Sequence, residues 1–146
     1  PVILHDDLLG ELVYNRQIKT FEGSVLWQDE KIYITLDINK DNKGGITRGK
    51  NALKAMISNQ SKWDEDLPYF AAKSLIKCAR EWDESDARES EISEEDFAKR
   101  IKISSIWMTS GGSFLVYFDD DDIFFGHTIR VTGSLKKGLV SANIEG

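Results

Sequence analysis

The stretch Lys31-Ile-Tyr-Ile-Thr-Leu-Asp-Ile38 places isoleucine and leucine on one side and tyrosine, threonine and aspartate on the other. This period of two residues predicts a β-strand with one buried face. Phe21-Glu-Gly-Ser-Val-Leu-Trp27 alternates in a similar way, and a short polar link suited to a hairpin joins the two stretches. With a further strand from Glu11 to Asn15, the first third of the chain predicts a three-stranded antiparallel meander.

The middle of the chain has the spacing of helices. Apolar residues from Leu53 to Ile57, and again from Ala71 to Trp82, recur at intervals of three and four residues. Pro68 precedes the second set and suits the first turn of a helix, so it predicts where that helix begins. Ser93-Glu-Glu-Asp96 resembles a capping box and predicts a short third helix that ends near Ile101.

The last third of the chain alternates like strands again. Four such stretches, separated by links short enough for hairpins, run from Lys102 to Thr109, Ser113 to Asp119, His127 to Thr132 and Leu139 to Ile144. The order βββαααββββ segregates strands from helices. We therefore expect an α+β fold with antiparallel hairpins at both ends and a helical middle packed on one sheet face. At 146 residues, one domain spanning residues 1–146 is expected.

The cysteine and histidine content limits the possible chemistry. Cys78 is the single cysteine, so no internal disulfide can form, and two histidines are too few for a Cys/His zinc cluster. No apolar run approaches the roughly 20 residues needed to cross a bilayer. We therefore expect a cytoplasmic protein that has no cofactor and no membrane partner.

Negative charge is concentrated in one segment. The formal net charge is −6, and residues 83–96 hold eight acids against one arginine, so this segment alone has a net charge of −7. Because phosphate binding depends on Lys and Arg, this balance disfavours nucleic acid and favours a basic protein partner. A solvated loop between helices would explain the run equally well. The candidate partner-binding residues are Asp83, Glu84, Asp86, Glu89 and Glu91.

Gly44-Gly-Ile-Thr-Arg-Gly49-Lys50 has the spacing of a P-loop, in which backbone N–H groups and a lysine hold phosphates. However, Asn51 stands where a Ser or Thr hydroxyl would bind Mg²⁺. P-loops also belong to parallel sheets, whereas the strands predicted here are linked by hairpins. A glycine loop leading into a helix is the simpler interpretation, and we expect Lys50 to lie at an exposed helix start.

The most chemically mixed part of the chain runs from Asp119 to His127. Four consecutive carboxylates could bind a divalent cation, and the candidate metal ligands are Asp119, Asp120, Asp121 and Asp122. Aspartates also accept bonds from their own backbone in turns, which requires no ion. His127 is the candidate general base of a hydrolytic site, oriented by Asp119 or Asp120, although no G-x-S-x-G or H-E-x-x-H sequence accompanies it.

Short pieces along nearly the whole chain match one family in order and spacing. They are Leu9-Gly-Glu-Leu12, Glu22-Gly23 with Trp27, Asn59-Gln60 with Trp63-Asp64, Gly112-Ser-Phe114, Phe118-Asp-Asp120, Gly126-His127 and Ala142-Asn-Ile-Glu-Gly146. Together they resemble a bacterial family catalogued as domain of unknown function number 2262. Because that family has no established activity, the resemblance implies a compact bacterial domain and assigns no catalytic residue.

Two functional hypotheses remain. The leading one is a non-catalytic acidic protein-binding domain, of the antidote or immunity type, that masks the basic surface of a partner. The alternative is an enzyme or ligand-binding domain. It would act on nucleotides through the segment from Gly44 to Lys50, or as a hydrolytic or metal site near Asp120 and His127. The lack of a complete catalytic sequence favours the non-catalytic hypothesis.

Overall fold

The computed structural model describes residues 2–38, 46–83 and 91–146. In this part of the chain, four strands, three helices and four further strands follow one another. The first strands are β1 (Ile3–Asp6), β2 (Gly10–Asn15), β3 (Thr20–Trp27) and β4 (Glu30–Asp37). The helices are α1 (Thr47–Ser58), α2 (Gln60–Trp82) and α3 (Glu94–Arg100). The last strands are β5 (Lys102–Thr109), β6 (Ser113–Asp119), β7 (Thr128–Ser134) and β8 (Gly138–Glu145).

The strands form one sheet whose spatial order follows the chain from β1 to β8. The predicted α+β class, with strands at both ends and helices between, is confirmed. Antiparallel pairing throughout was also expected, and this is wrong at one place, because β4 and β5 run parallel, with Ile34 opposite Ile106. The three helices carry the chain back to the end of the sheet where β4 began, so β5 runs in the same direction as β4.

β1 is a fourth strand in a region where the sequence predicted three. It pairs antiparallel with β2, with Leu4 opposite Leu12. Its four residues are too few to establish a period of two, so the strand depends on its pairing with β2 rather than on a local pattern.

Pro68 lies inside α2 and not in its first turn, which corrects the predicted start of this helix. The proline lacks the N–H of an ordinary helix bond, which is a local cost. Burial of Leu67, Ala71 and Leu75 on the inner face of α2 outweighs that cost. The helix therefore continues through the proline.

Helices α1 and α2 pack on one face of the sheet, as predicted, and α3 packs mainly against α2. Gly49 of α1 approaches Leu36 of β4, and the ring of Trp63 in α2 meets Phe114 of β6 edge-on, with centroids 5.7 Å apart. The buried residues form one cluster from both layers. Its largest members are Trp27, Phe97, Phe114, Phe124, Leu9, Leu12, Ile32, Ile34, Leu36, Leu53, Met56 and Leu67. None of the helices described combines the length and the apolar character required to cross a membrane.

Candidate functional site

The loop from β6 to β7 is organised by the buried carboxylate of Asp120, which is 1% exposed. One oxygen accepts the N–H of Asp122 at 3.1 Å, and the other accepts those of Phe124 at 2.8 Å and Gly126 at 3.1 Å. Three backbone donors therefore satisfy a carboxylate that would otherwise be costly to bury. Asp120 holds the loop in shape.

Asp119 and Asp121 of this loop have different partners. Asp119 accepts the N–H of Asp121 at 3.4 Å, and Asp121 pairs with Arg100, with Nε and Oδ2 2.8 Å apart. Over residues 2–38, 46–83 and 91–146, no three His, Cys, Asp or Glu side chains are grouped to hold a metal ion. The turn interpretation of these aspartates thus accounts for the bonds of Asp119 and Asp120.

His127 is held by a carbonyl. Its Nδ1 lies 2.5 Å from the backbone oxygen of Phe124, which can only accept, so Nδ1 carries the hydrogen. The ring meets Trp82 edge-on at 5.3 Å between centroids. Neither Asp119 nor Asp120 orients His127 in this arrangement, in contrast to the general-base hypothesis.

Phe125 projects from the same loop into solvent. Its side chain is 58% exposed, and its backbone has a φ of 57°, a left-handed conformation that costs a bulky residue on the order of 1 kcal/mol or more. The ring stacks on Trp82 with centroids 5.6 Å apart and an interplanar angle of 28°. Asp120 and the stacking therefore stabilise an aromatic ring on the surface.

The fold brings the two acidic segments of the sequence together beside this ring. Asp83, at the end of α2, and Asp122 line one cavity of about 220 Å³ with Trp82 and Phe125. Arg100 also lines it and pairs with Asp121. We call Trp82, Asp83, Asp122 and Phe125 the acidic–aromatic surface.

The other candidate partner-binding residues divide between the described and undescribed parts of the chain. Glu91 lies at the surface, with Oε2 3.7 Å from Nε of Arg80. Glu84, Asp86 and Glu89 lie outside the described residues.

The segment from Gly44 to Lys50 is described from Ile46 onward. The N–H of Lys50 bonds to the carbonyl of Ile46 at 2.8 Å, as in an ordinary helical turn. Its ammonium lies 3.6 Å from Oδ2 of Asp6. The expectation of an exposed Lys50 is wrong, because the side chain is partly buried over β1 and neutralises a carboxylate there.

Asp6 carries a largely buried carboxylate that no sequence pattern singled out. Oδ1 accepts the N–H groups of Leu8 and Leu9 at 2.8 and 3.0 Å, and Oδ2 lies 2.9 Å from Nζ of Lys54. The backbone bond from Leu9, followed by the bond from Lys54, holds the pKa of Asp6 well below its usual range. The side chain joins the β1–β2 turn to α1, and its signal in the sequence is an aspartate at the start of a turn that ends in Gly10.

Comparison with known proteins identifies one family. The model of a family described as an uncharacterized protein conserved in bacteria, DUF2262, matches residues 6–144. Neither the curated proteins nor the solved structures yielded a match.

Proposed function

The chain belongs to DUF2262, whose description assigns no activity, and from its own geometry we propose that it is a non-catalytic protein-binding domain. Its partner is a basic protein that docks on the acidic–aromatic surface, in the manner of an antidote or immunity protein. The observation that carries this proposal is the exposed ring of Phe125, which stacks on Trp82 at a cavity that Asp83 and Asp122 also line.

An exposed aromatic ring on a rigid support has the properties of a binding hot spot. Such positions are enriched in aromatic residues and release most energy when a partner excludes water from them. Phe125 is held from below by Trp82, which also meets Phe124 edge-on at 5.3 Å. Since the ring is already ordered, binding would require little further loss of side-chain freedom.

The surrounding charge favours a basic partner. Residues 83–96 carry a net charge of −7, and the chain enters this segment directly beside Phe125. Opposite charges steer diffusional encounter and disfavour acidic competitors. An aromatic anchor with flanking carboxylates therefore supports recognition of a surface rich in Lys and Arg.

The proposal is tested by capture from a bacterial lysate with immobilised wild-type chain, Phe125→Ala and Tyr33→Ala. Tyr33 is the matched control, because it is 62% exposed and lies on the sheet face opposite the helices. Proteins captured by wild type are purified, and their dissociation constants are measured. Phe125→Ala should raise the dissociation constant for a basic partner by about tenfold or more, and Tyr33→Ala should leave that constant unchanged. The proposal is contradicted if the partner binds Phe125→Ala as tightly as wild type, or if Tyr33→Ala loses binding of the partner.

A further inference from the structure

A large cavity opens at the other ends of β6 and β7, away from the acidic–aromatic surface. It has a volume of about 840 Å³ and lies between the first turns of α1, the β5–β6 hairpin and the β7–β8 hairpin. This volume is within the range of roughly 300–1,000 Å³ found for small-molecule sites. The cavity therefore has room for a ligand considerably larger than a simple ion.

Much of the cavity wall is apolar. Phe114 contributes buried surface, while Leu135 and Val140 line the cavity although they are 41% and 60% exposed. Gly111 and Gly112 of the β5–β6 hairpin also line the cavity, and they place no side chain in it. A ligand with an apolar body would cover Leu135 and Val140, which otherwise contact water.

The charged residues among the described lining of the cavity are all cationic. Arg48, Lys136 and Lys137 line it, and no carboxylate is found among its described lining residues. The stem of Arg48 lies over Gly112, where an added Cβ would be 3.7 Å from its Cγ. No ion pair of these three cations with an acid is found within the described chain, whereas Lys54 is paired with Asp6 and Arg130 with Glu145.

We propose that this cavity binds a small organic anion with an apolar body, its carboxylate or phosphate head held by Arg48, Lys136 and Lys137. The head would supply the negative charge that the described cavity wall lacks, and the body would lie on Leu135 and Val140. A nucleotide site built on Lys50 is a different arrangement, because that ammonium faces Asp6. The site is independent of the acidic–aromatic surface.

The test measures binding of four ten-carbon probes by calorimetry below their micelle concentrations. The probes are decanoate, decyl phosphate, decanol and decyltrimethylammonium. At least one anionic probe should bind about tenfold or more tightly than decanol, and the cation should bind weakest. Decanoate and decyl phosphate distinguish the two head groups. Equal affinity for decanol, or no binding of either anion, overturns the proposal.

Variants locate the bound anion. Replacement of Arg48, Lys136 and Lys137 by Gln should weaken binding of the anionic probe about tenfold or more. The matched control replaces Arg16, Lys73 and Lys77 by Gln; these are exposed residues outside the cavity, and binding should be unchanged. Circular dichroism confirms that both variants fold. Equal effects of the two triple variants on probe binding contradict the assignment. It is also contradicted if the anionic probe changes the amide chemical shift of Phe125 and not those of Gly111 and Gly112.

Discussion

Asp6 joins two parts of the molecule through a single carboxylate. Its side chain is 5% exposed, and its partners come from the β1–β2 turn and from α1. Asp6→Asn removes the charge that Lys50 and Lys54 neutralise, so we expect a loss of about 2 kcal/mol in the free energy of unfolding at neutral pH. Urea denaturation measures this loss. Asp7→Asn is the control, because Asp7 is exposed, and it should have little effect.

The same carboxylate predicts a pH dependence with a definite sign. The folded pKa of Asp6 lies below its ordinary value of 3.8, so the folded state favours the charged form. This stability is complete above the unfolded pKa and is lost as the pH falls from about 4 through the lower, folded pKa. Wild type and Asp6→Asn should therefore converge in stability on acidification. A difference that is constant down to about pH 2 would contradict this role of Asp6.

Gly49 is required by close packing. A Cβ at this position would collide with the carbonyl oxygen of Thr109 and lie 3.0 Å from Leu36 Cδ1 and Ser110 Cα. Gly49→Ala should destabilise the protein by about 1–3 kcal/mol despite the roughly 1 kcal/mol that alanine contributes to a helix. Gly111→Ala is the control, since among the described residues its Cβ would meet only Thr109 Oγ1, at 3.9 Å. Thermal unfolding of both variants checks the prediction, and equal melting temperatures would refute it.

Among the elements, α3 depends most on local capping. It has seven residues, and Ser93 Oγ accepts the N–H of Asp96 at 3.0 Å. Ser93→Ala should cost about 1 kcal/mol, whereas Ser93→Asp keeps an acceptor at the helix start and should stay close to wild type. Chemical denaturation measures the free energy of unfolding of both variants. Hydrogen exchange of the Phe97 and Ala98 amides reports on the stability of α3 itself. If alanine and aspartate behave alike, the cap contributes nothing measurable.

The crossover from β4 to β5 is the element arrangement that determines the site. α1 begins near the end of β4, and β5 runs parallel to β4. Arg48 and the end of β5 at Thr109 therefore meet at the same end of these strands. Ligands of open α/β sheets commonly lie beyond the carboxyl ends of parallel strands. A single parallel pair therefore gives an otherwise antiparallel sheet the setting for the cavity proposed above.

At the scale of the whole molecule, two surfaces of opposite charge lie at opposite ends of β6 and β7. The acidic–aromatic surface lies at one end, and Arg48, Lys136 and Lys137 lie at the other. Replacement of Asp83, Glu84, Asp86, Glu89 and Glu91 by their amides should slow association with a basic partner and flatten its salt dependence. Stopped-flow kinetics at several salt concentrations measures both effects.

The triple Gln variant of the cavity is the control for this experiment. It changes net charge at the far end of the molecule and should not slow association with the basic partner. An amide variant that associates at the wild-type rate from low to high salt would show that the acidic segment acts only as a solvated loop. The search for the binding surface would then move to residues 119–122 and His127.

The sequence by itself determined most of the elements. The period of two residues identified β2 to β8 apart from their exact ends, and the helical periods with the Ser93 cap identified the helical middle. These features are local, because burial of one face of a strand or helix repeats along the chain. The aspartate turn was also predictable, since Asp119 and Asp120 bond to N–H groups close by in sequence.

Only the tertiary structure decided the parallel pairing of β4 and β5, the pairing of Lys50 with Asp6, and the meeting of Asp83 with Asp122. Each joins residues far apart in sequence, and no local period distinguishes one distant partner from another. Lys50 illustrates the reason. Its spacing after the glycines resembles a phosphate site, but the direction of its side chain depends on where β1 packs against α1. There its ammonium lies 3.6 Å from Oδ2 of Asp6.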